Sequence, residues 1–225
     1  MKIKYALILC GGKGTRLGKI TKKTPKPLAK FGKKIFLESI ISQLVNLDLE
    51  KIFLLCRYKK EKIFDLYIFK KINNTYLYCI DEKKYLGTGG AIKNILKKLD
   101  NKFLVLNGDS FFNISIKKFL KQDLKKHSLI KIALTNNSSY KSNKKLANLK
   151  LGKGRKIFIE EGGRLMNAGI YLLKKKSLKI KEKIFSLETD IVEKYIIKNK
   201  VEGFFQNAKF IDIGTIKNYN FLKKN

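Results

Sequence analysis

Residues 4–17 read KYALILCGGKGTRL, an apolar run that passes directly into a glycine-rich turn. The run at 4–10 is short and ends in glycines, which favours a buried first strand over a helix. Glycine allows the backbone to turn tightly and to bring its N–H groups against phosphate oxygens, because no Cβ stands in the way. The stretch therefore predicts a strand followed by a phosphate-binding turn, although the glycines alone would also suit an ordinary turn.

Two common phosphate-binding loops do not fit this turn. A P-loop requires Gly-Lys and then Ser or Thr at a fixed distance from its first glycine, but Leu17 stands at that distance from Gly12. The dinucleotide fingerprint requires a glycine where Leu17 stands and an acidic residue after the second strand, where the chain has Arg57. Neither a P-loop nor a dinucleotide site is therefore predicted.

Strand-like and helix-like patterns alternate through the first half of the chain. Short apolar runs recur at 51–56, 75–80 and 102–106, and helical patterns lie near 36–47, 60–71 and 89–99. This alternation predicts βαβ crossovers and a largely parallel sheet covered by helices on both faces. Ligands of such sheets bind beyond the carboxyl ends of the strands.

The second half of the chain has a different pattern, which predicts antiparallel additions to the sheet. Polar loops such as TNNSSYKSNKK separate strand-like segments at 129–135, 146–151, 155–160 and 168–173. The chain closes with a predicted helix at 188–199, strands at 201–205 and around 209–213, and a helix from about 215. We therefore predict one α/β domain over 1–225, a Rossmann-like three-layer sandwich with a mostly parallel central sheet and antiparallel additions.

The chain has a formal net charge of +33, which raises the alternative of a nucleic-acid-binding protein. Only four of its 51 basic residues are arginines, the residue type that contacts phosphate and guanine bidentately. The lysines are spread over every segment, which is typical of a solvated surface that attracts polyanionic substrates. We therefore expect no nucleic-acid partner.

The sequence also bears on the location of the protein and on the state of its cysteines. No apolar run approaches the roughly 20 residues that span a bilayer, and no cleavable signal pattern precedes the first strand. We therefore expect a cytoplasmic protein without a membrane partner. Cys10, Cys56 and Cys79 lack the spacing of a metal site and are predicted to be buried, reduced thiols.

Residues 24–27 read TPKP and contain the only two prolines of the chain. Proline fixes φ and disfavours helix in the residue before it, so Lys26 is predicted to lie on an extended, preformed segment close to the glycine-rich turn. A cation held in place suits electrostatic catalysis. The alternative is an ordinary loop with a solvated lysine.

Residues 86–91 read LGTGGA, a second glycine-rich segment. Thr88 is predicted to cap a helix whose N–H groups face a nucleotide, with glycines permitting close contact. Glu82, five residues before Gly87, offers a carboxylate that can accept hydrogen bonds from the N1–H and N2–H groups of guanine. Uracil remains an alternative, since it also presents one N–H.

Two aspartates lie where strand-like runs end. Asp109 closes the motif NGD after KFLVL, and Asp212 lies within FIDIGT at 210–215. A carboxylate at the carboxyl end of a strand is well placed to hold Mg²⁺ beside a ligand. Asp212 could equally cap the helix that follows it.

The motifs GGKGTRL, PKP, LGTGGA, NGD, NAGIY and DIGT, in this order, resemble the sugar-1-phosphate nucleotidyltransferases over nearly the whole chain. Within that family, LILCGGKGTRL, YLGTGGAIK and VLNGDSFF are most similar to the D-glycero-α-D-manno-heptose 1-phosphate guanylyltransferases, a short form without a C-terminal β-helix. The resemblance implies Mg²⁺-dependent transfer of GMP from GTP to the heptose 1-phosphate, with release of pyrophosphate. The alternative is mannose 1-phosphate, or another sugar 1-phosphate with a different nucleoside triphosphate. The oligomeric state is not specified.

The resemblance also implies roles for matching positions. Arg16, Lys26 and Asp109 would be catalytic, with Arg16 on the leaving pyrophosphate and Lys26 between the two phosphate groups. Asp109 and Asp212 would bind Mg²⁺. The nucleotide would be bound by Leu9, Gly11, Gly12, Gly14, Thr15, Arg16, Lys26, Glu82, Gly87, Thr88 and Gly90. The sugar would be held by Asn107, Glu160, Asn167 and Gly169.

Two positions depart from the pattern of the family. Glu161 follows Glu160 where the family has a lysine for the sugar phosphate, so another cation such as Arg164 is expected to replace it. Tyr85 stands where a proline commonly precedes LGT, which is expected to reshape the base pocket.

Overall fold

The computed structural model describes residues 2–31, 34–136, 148–216 and 218–220. Its strands are β1 (Tyr5–Leu9), β2 (Lys30–Phe31), β3 (Lys34–Ile35), β4 (Lys51–Cys56), β5 (Lys71–Ile72), β6 (Thr75–Asp81), β7 (Lys102–Asn107), β8 (Ser110–Phe112), β9 (Ile130–Thr135), β10 (Leu149–Leu151), β11 (Ile157–Ile159), β12 (Met166–Lys174), β13 (Val201–Phe205) and β14 (Phe210–Asp212). Its α-helices are α1 (Phe36–Leu44), α2 (Lys60–Tyr67), α3 (Gly87–Asn94), α4 (Ile116–Lys121) and α5 (Lys194–Ile197). Most of the predicted loop 135–145 and the end of the predicted closing helix lie outside the described residues.

The chain divides into two compact units, of which the first comprises Met1–Tyr85, Leu106–Phe111 and Ile211–Asn225. Its strands lie in the order β1-β4-β6-β5, with β1, β4 and β6 parallel and β5 antiparallel to β6. Eight of the eleven residues on β1 and β4 are buried and the other three are half-buried, as expected for strands covered on both faces. Helix α1 buries Phe36, Leu37, Ile40, Ile41 and Leu44, a helical spacing that gives it one apolar face.

The second unit comprises Leu86–Val105 and Phe112–Phe210. Its strands lie in the order β13-β9-β12-β7, where β12 is antiparallel and β13 parallel to β9. All six residues of β9 are buried, including Lys131. The ammonium group of Lys131 donates to the carbonyls of Phe119 and Gln122, so this buried cation satisfies carbonyl groups at the end of α4.

The observed strands confirm the predicted α/β class, with mostly parallel pairing and antiparallel additions. The predicted helix at 188–199 differs in detail, because a π-helical segment, Leu187–Glu193, runs into the short α5. All three cysteines are free thiols, as predicted. Cys10 and Cys56 are buried, also as predicted, whereas Cys79 is only half-buried. The prediction of a single domain stays a prediction. Among the described helices, none has both the length and the apolar character needed to cross a membrane.

Candidate active site

The glycine-rich turn packs on the segment that carries Lys26, within the first unit. Gly14 has a φ of 62°, a left-handed conformation that favours glycine, and its carbonyl accepts from Leu17 N at 2.9 Å and from Thr21 Oγ1 at 3.1 Å. A Cβ on Gly14 would lie 2.9 Å from Thr21 Cγ2 and 3.4 Å from Lys26 Cβ. Gly14 therefore allows the turn to approach Lys26 closely. Thr15 and Arg16, the next residues of the turn, have exposed side chains.

Lys26 is buried at the start of a short 3₁₀ turn. The prediction of an extended segment is correct for Pro25, whose ψ is 147°, but wrong for Lys26, which begins the turn Lys26–Leu28. Pro27 is compatible with that turn because the first N–H groups of a helical turn have no partner within it. The side chain of Lys26 is 8% exposed, and its ammonium group forms an ion pair with the carboxylate of Asp109.

The motif Asn107-Gly108-Asp109 is held against the end of β1. Gly108 N donates to the Leu9 carbonyl at 3.1 Å, and a Cβ on Gly108 would lie only 2.6 Å from that oxygen. Only glycine permits this approach, which fixes the backbone that carries Asp109. The buried Oδ1 of Asn107 has no hydrogen-bond partner within the described residues. Such an acceptor can take a hydrogen bond from water or from a bound ligand.

Asp109 and Asp212 are neighbours in the first unit. Ile213 N donates to the Asp109 carbonyl at 3.0 Å, which ties the two strand ends together. Burial raises the pKa of the Asp212 carboxyl, the nearby Asp109 raises it further, and Lys26 partly offsets both effects. Asp212 does not cap the helix that follows, because Thr215 Oγ1 accepts from Asn218 N at 3.3 Å and fills that role.

These two carboxylates fit a Mg²⁺ ion that also binds substrate. Within the described residues, no cluster of three or more His, Cys, Asp or Glu could hold a metal ion by itself. Mg²⁺ commonly uses one or two protein carboxylates and completes its octahedron with phosphate oxygens and water. Burial and, to a smaller extent, the charge of Asp109 raise the pKa of Asp212, and a divalent cation would offset both effects.

Glu82 lies beside the glycine-rich turn. A Cβ on Gly11 would be 3.0 Å from Glu82 Oε1 and 3.4 Å from Arg57 Cβ, so Gly11 lies close to both residues. Glu82 is buried, and burial raises the pKa of its carboxyl while the charge of Arg57 lowers it. The guanidinium of Arg57 lies 5.2 Å from the ring centre of Tyr85, the residue that replaces the family's proline.

The second unit contains the segment LGTGGA, and here the capping prediction is wrong. Helix α3 begins at Gly87, and Thr88 lies inside it rather than before it. Thr88 Oγ1 instead donates to Glu188 Oε2 at 2.8 Å. The N–H groups of Gly89 and Gly90 donate to the Phe185 carbonyl at 3.0 and 3.3 Å, so these two groups are already bonded within the unit.

The glycines of this segment are required by packing. A Cβ on Gly87, whose φ is 71°, would lie 2.3 Å from the Phe185 carbonyl oxygen. A Cβ on Gly89 would lie 2.2 Å from the Phe185 ring, and a Cβ on Gly90 would lie 2.4 Å from the Lys183 carbonyl oxygen. Real Cβ atoms do not approach other atoms so closely, so larger residues would force the two segments apart.

Asn167 and Gly169 lie on β12, in the motif NAGIY. Gly169 N donates to Asn167 Oδ1 at 3.0 Å, and Asn167 Nδ2 donates to the hydroxyl of Tyr171 at 2.8 Å. The Tyr171 hydroxyl in turn donates to Glu188 Oε1 at 3.1 Å. Asn167 is half-buried, so its side chain is oriented by the protein and still accessible.

Glu160 is placed differently from Asn167. Its carboxylate is exposed and forms an ion pair with Lys150 across the β10–β11 hairpin at 3.1 Å. Glu161 and Arg164 are exposed as well. The roles of Glu160 and Arg164 at the sugar phosphate therefore stay predictions.

Sequence reasoning did not single out Glu188 or Tyr171 as site residues. Ser186 accepts from the N–H groups of Glu188 and Thr189, and this pattern of a serine before acidic residues indicates a helix start rather than a binding site. Arg57 was noted only for ruling out a dinucleotide site. No spacing in the sequence could have shown that these side chains meet the predicted motifs.

Comparison with known proteins agrees with the geometry. The family model described as "Nucleotidyl transferase" matches residues 5–224. The chain is 39% identical to the D-glycero-alpha-D-manno-heptose 1-phosphate guanylyltransferase of Campylobacter jejuni, over 98% of this chain and 99% of that protein. It is 30% identical to the protein of the same name from Aneurinibacillus thermoaerophilus, over 97% and 96% of the two chains.

A solved structure also resembles this chain over nearly its whole length. HddC from Yersinia pseudotuberculosis, crystallised in complex with GMP-PN, superposes with a TM-score of 0.82 at 30% identity and covers 99% of both chains. Because the family model and these relatives each match the chain over nearly its whole length, the protein belongs to the nucleotidyl transferase family and is a nucleotidyltransferase.

Proposed function

We propose that this enzyme transfers GMP from GTP to D-glycero-α-D-manno-heptose 1-phosphate and releases pyrophosphate. The observation that carries the proposal is the 39% identity to a guanylyltransferase of that name over nearly the whole of both chains. The complex of HddC with GMP-PN supports a guanine nucleotide. We further propose that residues 1–225 act together as one catalytic domain.

Glu82 supports the choice of guanine. Its buried carboxylate lies against the backbone at Gly11, and a carboxylate only accepts hydrogen bonds. Guanine offers two adjacent donors, N1–H and N2–H, whereas uracil offers one. A buried acceptor discriminates strongly against a base that leaves it unsatisfied, because an unpaired buried polar group is costly. Burial raises the pKa of Glu82, and the charge of Arg57 offsets part of that rise and so favours the ionised form that guanine requires.

The reaction is a direct displacement at the α-phosphorus. An oxygen of the sugar phosphate attacks in line, the new P–O bond forms as the bond to pyrophosphate breaks, and no covalent enzyme intermediate is required. The chief obstacle is the repulsion between a sugar phosphate and a triphosphate. Lys26 would neutralise charge between the two phosphate groups, and Arg16, whose side chain is exposed on the turn, would hold the leaving pyrophosphate.

Asp109 and Asp212 would hold Mg²⁺. The ion would supply positive charge that offsets the charge of the phosphate groups. Asp109 also forms an ion pair with Lys26. We propose that Lys26 keeps this position when the substrates bind, and that its fixed ammonium group neutralises charge between the two phosphate groups.

The experiment is a matrix of nucleoside triphosphates and sugar 1-phosphates in which pyrophosphate release is measured. We expect the highest kcat/KM for GTP with D-glycero-α-D-manno-heptose 1-phosphate, and mannose 1-phosphate as the next acceptor. A clear preference for UTP or CTP would show that the base assignment is wrong, and a preference for another sugar would reject the heptose alone.

A further inference from the structure

The carboxylate of Glu188 accepts hydrogen bonds from three hydroxyl groups within the second unit. Thr88 Oγ1 donates to Oε2 at 2.8 Å, and Ser186 Oγ donates to the same oxygen at 3.1 Å. The Tyr171 hydroxyl donates to Oε1 at 3.1 Å. Thr88 belongs to LGTGGA and Tyr171 to NAGIY, so one half-buried side chain bonds to both predicted substrate-binding motifs.

Each of these hydroxyl oxygens already accepts a hydrogen bond from elsewhere. Leu187 N donates to Thr88 Oγ1 at 2.8 Å. Glu188 N and Thr189 N donate to Ser186 Oγ at 3.2 and 3.3 Å. Asn167 Nδ2 donates to the Tyr171 hydroxyl at 2.8 Å.

A hydroxyl has a single proton, so each of the three turns that proton towards Glu188. A carboxylate, which only accepts, suits all three. A glutamine in place of Glu188 would point its amide N–H₂ group at the proton of at least one of these three hydroxyl groups.

The direction of these bonds fixes the orientation of Asn167. Because Tyr171 donates to Glu188, its oxygen is available to accept from the Asn167 amide nitrogen. The amide oxygen of Asn167 then faces Gly169 N, which can only donate. Both ends of the Asn167 amide are thus assigned by partners of fixed polarity. Among the described residues, one N–H and one lone pair of that amide find no hydrogen-bond partner and could meet a sugar hydroxyl.

We infer that Glu188 is a positioning residue for nucleotidyl transfer, whose acceptor-only carboxylate orients Asn167 for the sugar through the Tyr171 hydroxyl. The inference rests on the proposed role of Asn167 at the sugar. It does not depend on which base or which sugar the enzyme uses.

The test compares Glu188→Gln, Tyr171→Phe and the double variant with the wild type. Each is assayed with whichever substrate pair the wild type turns over fastest, so a wrong choice of GTP or heptose does not affect the result. We expect each single change to raise the KM for the sugar 1-phosphate by about tenfold or more, as for the loss of an oriented hydrogen bond. The double variant should be no worse than the more affected single variant, because both changes release the same Asn167.

Glu182→Gln is the matched control. It makes the same charge change on an exposed side chain six residues earlier, and its kinetics should equal those of the wild type. Thermal unfolding of all variants separates positioning from folding, since Glu188→Gln preserves the shape of the side chain.

Three outcomes would overturn the inference. The KM for the sugar 1-phosphate could stay within about twofold of the wild type in Tyr171→Phe. The two single effects could add in full in the double variant. Alternatively, a lower Tm could accompany an unchanged KM, which would give Glu188 a structural role alone. If Glu188→Gln does not fold, Tyr171→Phe decides, because it keeps the carboxylate and removes only the link to Asn167.

Discussion

The ammonium group of Lys26 forms an ion pair with the carboxylate of Asp109, 83 residues further along the chain. The lysine is buried and held by a proline-bracketed turn, whereas Asp109 is 38% exposed. The pair therefore has a fixed cation and a carboxylate that can reach a ligand. This arrangement keeps a positive charge ready without leaving it uncompensated before substrate arrives.

Lys26→Met should lower kcat by about a hundredfold to a thousandfold, the range seen when one fixed electrostatic contact is removed from an active site. Methionine preserves much of the buried stem while removing the charge. Lys62→Met, on the exposed face of α2, is the matched control and should turn over normally. Steady-state kinetics with saturating Mg²⁺ check this, and near-normal turnover of Lys26→Met would show that the lysine is only part of a loop.

Asp212→Asn should lower turnover strongly and raise the Mg²⁺ concentration needed for half-maximal rate. The same change should leave the folding stability unchanged or increase it. The raised pKa means that the folded protein holds the Asp212 proton to higher pH than the unfolded chain, so this group makes stability fall as pH rises above its ordinary value of 3.8. At neutral pH without Mg²⁺, the variant should therefore melt at the same temperature as the wild type or higher.

The measurement is thermal unfolding of wild type and Asp212→Asn with and without Mg²⁺ and nucleotide. We expect the two together to stabilise the wild type more than the variant, because ligands that bind the folded state raise its stability. A variant that melts lower without metal and keeps a normal Mg²⁺ dependence would place Asp212 in a structural role.

Binding of the guanine nucleotide should weaken as pH falls through the raised pKa of Glu82. The carboxylate must be ionised to accept both donors of the base, so binding favours the deprotonated form. Since burial places the pKa in the free enzyme above its ordinary 4.5, the loss begins at a higher pH than for an exposed glutamate. Calorimetric titration with a non-hydrolysable GTP analogue checks this, and Glu82→Gln should remove this part of the pH dependence. An unchanged pH profile in Glu82→Gln would exclude Glu82 from the base site.

Gly108→Ala should lower turnover strongly while the protein still folds. Its Cβ would lie 2.6 Å from the Leu9 carbonyl oxygen, so the backbone that carries Asp109 would have to move. Small displacements of a catalytic group cost large factors in rate. Gly12→Ala is the comparison, because a Cβ there meets nothing within 4 Å and its folding stability should be normal. Equal kinetics for Gly108→Ala and wild type would show that the turn adapts.

Much of the fold could be predicted from the sequence because its signals are local. Apolar runs of strand length alternate with helical spacing, and the parallel order of β1, β4 and β6 follows from the crossovers between them. The approach of Asp109 to Asp212 could also be predicted, since both lie where strands end. The same reasoning could not show that Thr215, rather than Asp212, accepts from Asn218 N, because that choice depends on the path of the backbone.

The second unit was less predictable for a physical reason. Threonine is a residue type that commonly caps helices, but the hydroxyl of Thr88 donates a hydrogen bond to Glu188, 100 residues away. Helix-capping preference contributes about 1 kcal/mol, so a tertiary hydrogen-bond network can override it. No periodicity relates such distant residues, and only the folded chain brings them together.

The close packing of Gly87, Gly89 and Gly90 against residues 183–187 affects how this motif should be used to recognise enzymes. A relative that had lost Lys26 and both aspartates proposed to bind Mg²⁺ would still need these glycines to pack in the same way. LGTGGA is thus a marker of architecture, and its presence in a genome is equally compatible with a working catalyst and with a silent descendant. We expect the trio of Lys26, Asp109 and Asp212 to be the informative signature, because the roles proposed for these charges lie in the reaction and not in the packing of the fold.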